Sequence, residues 1–121
     1  MLNFFAGKPA VPELTAAQLK ARLDGGEAII LIDVREERER EVSALPNSTH
    51  IPVGQMAQRL DEVKALRAAR PAAALITYCK GGVRSAKAAE VLLKSGLDNV
   101  LSLQGGIIAW ARDCAPGMKV G

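Results

Sequence analysis

Aromatic side chains are almost missing from this chain: Phe4, Phe5, Tyr78 and Trp110 are the whole set among 121 residues. A surface that binds single strands of nucleic acid stacks bases on aromatic rings set among basic residues, and so few scattered rings exclude it. Histidine occurs once, at His50, and cysteine twice, at Cys79 and Cys114. A structural zinc site needs four ligands at characteristic spacings, and these residues supply neither the number nor the spacing, so no metal is expected. A dominant sign of charge is also lacking, since 16 Lys and Arg face 13 Asp and Glu for a net charge of +3. The densest run, Arg35-Glu36-Glu37-Arg38-Glu39-Arg40-Glu41, mixes both signs and reads as a solvated face with no nucleic-acid patch. The mild positive balance favours small anions as ligands. Long apolar runs are absent too. Met1 to Gly7 has no basic start and too short an apolar stretch for a signal peptide or a membrane span, so no membrane partner and a cytoplasmic location are expected.

What is present suits one compact domain. The chain is 49% hydrophobic, and its core must be aliphatic and rich in alanine. Residues 1–12 read as an extended lead-in, 13–115 as the domain and 116–121 as a glycine-rich tail. Thr15 is a candidate helix N-cap, with Leu14, Leu19 and Leu23 sharing one face before Gly25-Gly26. Ile29-Ile30-Leu31-Ile32 is a continuous apolar run, as in a strand covered on both faces of a parallel sheet. A loop is expected to reach Ser48, with a short strand around His50 to Val53 and a helix over Gln55 to Arg70. Leu75 to Tyr78 is a second buried strand, Ala86 to Ser95 a helix, Asn99 to Leu103 a last strand, and Trp110 belongs to a final short helix. Strands alternating with helices predict an α/β three-layer sandwich with a mainly parallel central sheet flanked by helices. In such sheets ligands bind beyond the carboxyl ends of the strands, where Asp33, Cys79 and Gln104 all fall.

Cys79-Lys80-Gly81-Gly82-Val83-Arg84-Ser85 is the segment with chemistry in it. It carries a thiol from a strand into the start of a helix, where amide N–H groups and the helix dipole converge. A free thiol titrates at about 8.5, and a helix N-terminus with nearby cations favours the thiolate, which is the nucleophile. Gly81 and Gly82 permit positive φ and leave no Cβ in the way of an anion. Lys80 is a candidate for attracting a donor anion, or a solvated surface lysine. Arg84 closes the cradle or bonds loop carbonyls, and Ser85 caps the helix in preference to donating to the thiolate.

Asp33 and Arg35, which end the first long strand, read as a structural ion pair near the site. His50 has nothing that aims it at Cys79 and reads as a strand-edge residue. Trp110 packs the last helix onto the sheet. Cys79 and Cys114 read as independent thiols, with a disulfide between them ranked low.

Four segments in register resemble the rhodanese family of single-domain sulfurtransferases. Cys79-x-x-Gly82-x-Arg84-Ser85 is similar to its active-site loop, and Leu31-Ile32-Asp33-Val34-Arg35-Glu36 with Glu39, Glu41 and Leu45-Pro46 to its first signature. Ile51-Pro52 resembles the step that follows, and Leu103-Gln104-Gly105-Gly106 with Ala109-Trp110 the C-terminal signature. Ala44, Asn47 and Arg40 depart from the family pattern, which often has histidine, glycine and an aromatic residue there. The stretch Tyr78 to Ala88 is especially similar to rhodanese domains fused to adenylating enzymes of sulfur-carrier proteins.

The resemblance implies a rhodanese-like fold, a Cys79 persulfide and no cofactor. Thiosulfate is the implied donor, with sulfite leaving and the amides of residues 80 to 84 holding the sulfur. Cyanide, a thiol or a sulfur-carrier protein is the implied acceptor. Two alternatives stand beside it. A cysteine phosphatase or arsenate reductase also closes a thiolate loop with arginine, but phosphatases resemble Cys-x5-Arg, whereas Cys79 and Arg84 enclose four residues. A noncatalytic rhodanese-like interaction module would be expected to lose the nucleophile that this chain keeps.

Overall fold

The computed structural model describes residues 11–121. The expected lead-in therefore lies, up to residue 10, outside the described residues, as do Phe4 and Phe5. The elements run β1 (Glu13–Leu14), α1 (Ala16–Asp24), β2 (Ile29–Asp33), α2 (Glu37–Val42), β3 (Ser48–His50), a 3-10 segment (Val53–Gln58), α3 (Leu60–Ala69), β4 (Ala74–Tyr78), α4 (Val83–Lys94), β5 (Val100–Leu103) and α5 (Gly106–Cys114). Among the described residues five strands join one sheet in the order β1-β5-β4-β2-β3, and every pairing is parallel. The α/β sandwich expected from the alternation of strands and helices is the one observed.

The central strands explain the layers. All five residues of β2 and of β4 are buried, yet alternate side chains serve opposite faces. Ile30, Ile32 and Leu75 pack with Met56 of the 3-10 segment, Val63 of α3 and Ala88, Ala89 and Leu92 of α4. Ile29, Leu31, Ala74, Ile76 and Tyr78 point the other way, against Ala16 and Leu19 of α1 and Ile107 and Ala109 of α5. With so few rings, both layers close on aliphatic and alanine side chains, as the composition requires.

Several local expectations change. Thr15 does cap α1, in a full capping box with Gln18, but Leu14 sits in β1 and Leu23 is exposed. The expected helix over Gln55 to Arg70 is two pieces, a 3-10 segment and α3, meeting at Arg59. The short strand lies at Ser48–His50, one step before the apolar residues, because it pairs with Leu31 to Asp33 at the sheet edge.

The charged run 35–41 holds the largest correction. It is partly a helix, α2, and Arg35 is wholly buried. The tail also returns to the body. Met118 and Val120 pack on the second core, and the Ser43 hydroxyl donates to the Lys119 carbonyl beside α2.

Candidate active site

β4, the middle strand, delivers Cys79 to the carboxyl end of the sheet, and α4 begins four residues later at Val83. Gly82 is the N-cap of α4 with φ of 113°, a conformation that only glycine adopts without strain. That turn folds the chain back over the sulfur. The Gly82 amide donates to Cys79 Sγ at 3.0 Å and the Ser85 amide at 3.4 Å. Among the described residues, the amides of Lys80, Gly81, Val83 and Arg84 have no protein acceptor. They are donors left over at the start of a 12-residue helix, which is the condition for anion binding at such a terminus.

Cys79 itself is 1% exposed and lies below a rim of exposed Lys80, Gly81 and Val83. The expected requirement for glycine holds at Gly82 only. A Cβ at Gly81 would meet nothing within 4 Å, so this residue leaves the rim open and fulfils no backbone need.

The floor of the loop is the β5–α5 turn. Gly105 and Gly106 have φ of 75° and 59°, which turns the first amides of α5 toward the loop. Ile107 N–H donates to the Cys79 carbonyl at 2.9 Å and Ile108 N–H to the Lys80 carbonyl at 3.2 Å. A Cβ on Gly106 would lie 2.3 Å from the Lys80 carbonyl oxygen, so contact this close excludes any side chain. Beside this turn opens a cleft of about 460 Å³ whose lining includes Gly81, Gln104, Ile108 and Arg112. The loops after β4 and β5 thus meet, as their positions at strand ends predict.

Ser85 does not cap the helix as expected. Its hydroxyl donates to the Gly82 carbonyl at 3.1 Å, shares a 2.7 Å bond with Ser102 of β5 and lies 3.5 Å from Cys79 Sγ. Sequence reasoning misses Ser102, whose hydroxyl in an otherwise apolar strand is the only available sign of a polar contact beneath the loop.

Arg84 neither closes the cradle nor bonds loop carbonyls. Its guanidinium forms a bidentate pair with Glu39 of α2, at 2.7 and 2.9 Å. The bond from Arg84 holds the Glu39 carboxyl at about 2, well below its ordinary 4.5, against a smaller opposing effect of burial. Arg84 is raised, first by its bond to Glu39 and then by negative charge that includes Cys79. Glu39 Oε1 also accepts the Glu36 amide, and its carbonyl accepts from Arg35. The mixed charge run is therefore wired into the site.

Asp33 and Arg35 form the expected ion pair, more deeply buried than foreseen at 0% exposure for both. Arg35 Nε and Nη2 reach Asp33 at 3.0 and 2.8 Å, while Nη2 also donates to the Ser43 carbonyl. Arg40 and the Tyr78 hydroxyl complete the shell around Asp33. Burial raises the Asp33 carboxyl, but the bonds and charge of Arg35 together with Tyr78 outweigh it and hold it below its usual range. The Arg35 guanidinium lies over the Tyr78 ring at 5.5 Å, and the Tyr78 hydroxyl takes the Leu45 amide. Among the described residues none of these groups bonds the Cys79 sulfur, whose partners are Gly82 and Ser85.

His50 bonds the Arg35 carbonyl through Nε2 at 2.7 Å, a structural contact in edge strand β3. Trp110 is half-buried against the second core. Cys79 and Cys114 are both free thiols, Cys114 being half-buried near the Ala16 carbonyl. Among the described residues no cluster of side chains suits a metal ion, and no helix is long and apolar enough to cross a membrane.

The family model described as the Rhodanese-like domain matches residues 15–113. A protein named Sulfurtransferase from Allochromatium vinosum is 33% identical over 106 residues, covering 88% of this chain and 94% of that protein. The probable adenylyltransferase/sulfurtransferase MoeZ of Mycobacterium tuberculosis is also 33% identical, over 87% of this chain but only 26% of its own length. Among solved structures, a rhodanese-like domain protein from Staphylococcus aureus aligns with a TM-score of 0.73 and 27% identity, over 91% of this chain and 98% of its own. A thiosulfate sulfurtransferase from Pseudomonas aeruginosa gives a TM-score of 0.74 at 27% identity, over 92% of this chain and 20% of that one. Fold, signature segments and relatives agree that this chain belongs to the rhodanese-like family.

Proposed function

We propose that the protein is a sulfurtransferase that carries a sulfane sulfur as a persulfide on Cys79. One observation carries the reading: Cys79 Sγ already accepts two amide hydrogen bonds in a loop whose other amides have no acceptor among the described residues. Such donors stabilise charge as it develops on sulfur. In the first half-reaction the Cys79 thiolate attacks the outer sulfur of thiosulfate. An S–S bond forms to Cys79, the bond to the sulfonate sulfur breaks, and sulfite leaves with that electron pair. The terminal persulfide sulfur is then held by the amides of residues 80 to 84 and by the dipole of α4. In the second half-reaction a thiophilic acceptor, whether cyanide, a thiol or a sulfur-carrier protein, attacks that sulfur and the Cys79 thiolate is regenerated.

Lys80 is exposed beside the nucleophile and steers the donor anion toward the rim. The relation to Sulfurtransferase and to the sulfurtransferase part of MoeZ's name supports sulfur transfer. The phosphatase reading is disfavoured because Glu39 holds the guanidinium that would have to bind phosphate. Two free cysteines suit a cytoplasmic site of action, where thiols are kept reduced.

Intact mass after brief exposure to thiosulfate tests the reading, with Cys79→Ser and Cys114→Ser in parallel. The expected outcome is the gain of one sulfur by wild type and by Cys114→Ser, its absence from Cys79→Ser, and its removal by cyanide as thiocyanate. No gain on reduced wild-type protein would overturn thiosulfate as donor, and no gain from persulfide donors either would overturn the mechanism.

A further inference from the structure

Two hydroxyls lie beneath the reactive loop, and only one of them belongs to it. Ser85 and Ser102 are both wholly buried, and their Oγ atoms are 2.7 Å apart. Ser102 of β5 is the register partner of Thr77 in β4, and Thr77 Oγ1 donates to the Ser85 carbonyl at 2.8 Å, so both strands hold the one loop residue. Ser85 Oγ in turn lies 3.5 Å from Cys79 Sγ, within hydrogen-bond reach of sulfur.

Counting protons fixes the direction of the pair. A serine hydroxyl has one proton to give and two lone pairs to receive. Among the described residues Ser85 Oγ is the only hydrogen-bond partner of Ser102 Oγ. A Ser102 that accepted from Ser85 would bury its own proton unpaired, which folded proteins avoid. Ser102 is therefore the donor, and Ser85 keeps its proton for the Gly82 carbonyl at 3.1 Å or for the Cys79 sulfur. While Cys79 is a thiol, its S–H faces Ser85 Oγ and the Ser85 proton goes to Gly82. When the sulfur is negative, the same proton turns to it. The Gly82 carbonyl is not left bare, because the Ala86 amide donates to it at 3.2 Å.

We infer that Ser102 is a positioning residue for sulfur release: by donating to Ser85 Oγ it leaves the Ser85 proton free to meet the negative charge that returns to Cys79 Sγ when the persulfide gives up its outer sulfur. The inference rests on the sulfurtransferase reading proposed above. In the release step the acceptor bonds the outer sulfur, the bond between the two sulfurs breaks, and its electron pair goes to Cys79 Sγ, which is left as the thiolate. The Gly82 and Ser85 amides already meet that charge. The Ser85 hydroxyl is a third donor, strengthened by the bond it accepts from Ser102.

Single-turnover discharge tests this role. Protein loaded with one sulfur from thiosulfate, then freed of excess donor, is mixed with cyanide, and thiocyanate formation is followed. Ser102→Val and Ser102→Thr have the same shape, suit a strand and differ in the hydroxyl alone. Ser102→Val should discharge about three- to tenfold more slowly than Ser102→Thr, the effect of about one hydrogen bond, whereas Ser102→Thr should stay within about twofold of wild type. Ser102→Ala should show the same loss against wild type, so the comparison survives if the larger side chains disturb the packing. Ser85→Ala combined with Ser102→Ala should be no slower than Ser85→Ala alone, since Ser102 acts through Ser85.

Equal rates for Ser102→Val and Ser102→Thr, a Ser102→Ala protein as fast as wild type, or losses that multiply in the double variant would overturn the inference. The sulfurtransferase reading would survive each of these, because the protein still loads. A wild-type protein that takes up no sulfur from thiosulfate or from a persulfide donor would overturn the proposed function, and this role of Ser102 with it.

Discussion

Replacing Gly106 by alanine should damage the reactive loop from a turn outside it. The added Cβ would stand 2.3 and 2.5 Å from the carbonyl oxygens of Lys80 and Cys79, both of them backbone atoms that cannot rotate aside. The residue also has a φ of 59°, where a side chain costs about 1–2 kcal/mol. Relief of the contact requires the β5–α5 turn to withdraw, which weakens the bonds from Ile107 and Ile108 to those two carbonyls, each worth about 1 kcal/mol net. The sum is about 3–4 kcal/mol. Urea unfolding should show that loss, and thermal unfolding a fall of roughly 10–15 °C for a chain of this size. Gly81→Ala is the matched control, since its Cβ meets nothing and its φ is not positive; it should stay within about 0.5 kcal/mol of wild type. A Gly106→Ala protein with wild-type stability and an unaltered rate of sulfur uptake by Cys79 would refute the claim that contact between the two turns shapes the loop.

Arg35→Met leaves Asp33 buried without its main partner and should destabilise by about 3–5 kcal/mol, read by urea unfolding at neutral pH. Tyr78→Phe removes the donor to Asp33 and the acceptor of the Leu45 amide, for a loss of about 1–2 kcal/mol in the same assay. The folded-state depression of Glu39, from 4.5 to about 2, gives a stabilisation that is complete above 4.5 and disappears as pH falls toward 2. After allowance for solvent around Arg84, whose side chain is 32% exposed, it amounts to about 1–2 kcal/mol. Glu39→Gln should therefore lag wild type at pH 7 and converge with it near pH 2 in acid-unfolding titrations. Thr15→Ala, which opens the capping box of α1, should lower stability by about 1 kcal/mol.

Hydrophobic pattern made most of the fold legible. β2 and β4 are unbroken apolar runs, and the glycines that flank the loops mark where strands hand over to helices. α2 escaped because pattern reading depends on apolar periodicity, and this helix buries no residue at all. What holds it is polar: Arg40 on Asp33 and Ser48, Arg35 on the Glu39 carbonyl, Glu39 on Arg84. Charges in sequence look alike whether solvent or a partner elsewhere in the chain receives them, so neither the buried state of Arg35 nor the partner of Arg84 could be read in advance. The Cys79 loop was legible because a thiol, two glycines and a helix start are adjacent in sequence. Its floor was less so, since the need for Gly106 arises from a carbonyl about two dozen residues earlier.

The arrangement of long strands inside and short strands outside bears on how the protein avoids sticking to itself. Among the described residues β1 and β3, at the two margins of the sheet, have two and three residues, while the five-residue apolar runs β2 and β4 lie between neighbours. An unpaired strand margin is a template on which another chain can polymerise, and its hazard grows with its length and apolarity. Here the foreign chain would find two or three ladder positions, with His50 and the Arg40-bonded Ser48 on one side and Glu13 on the other. The apolar β-strand runs Ile29 to Ile32 and Leu75 to Tyr78, of the kind that stacks into amyloid, are buried and become available only when the molecule opens.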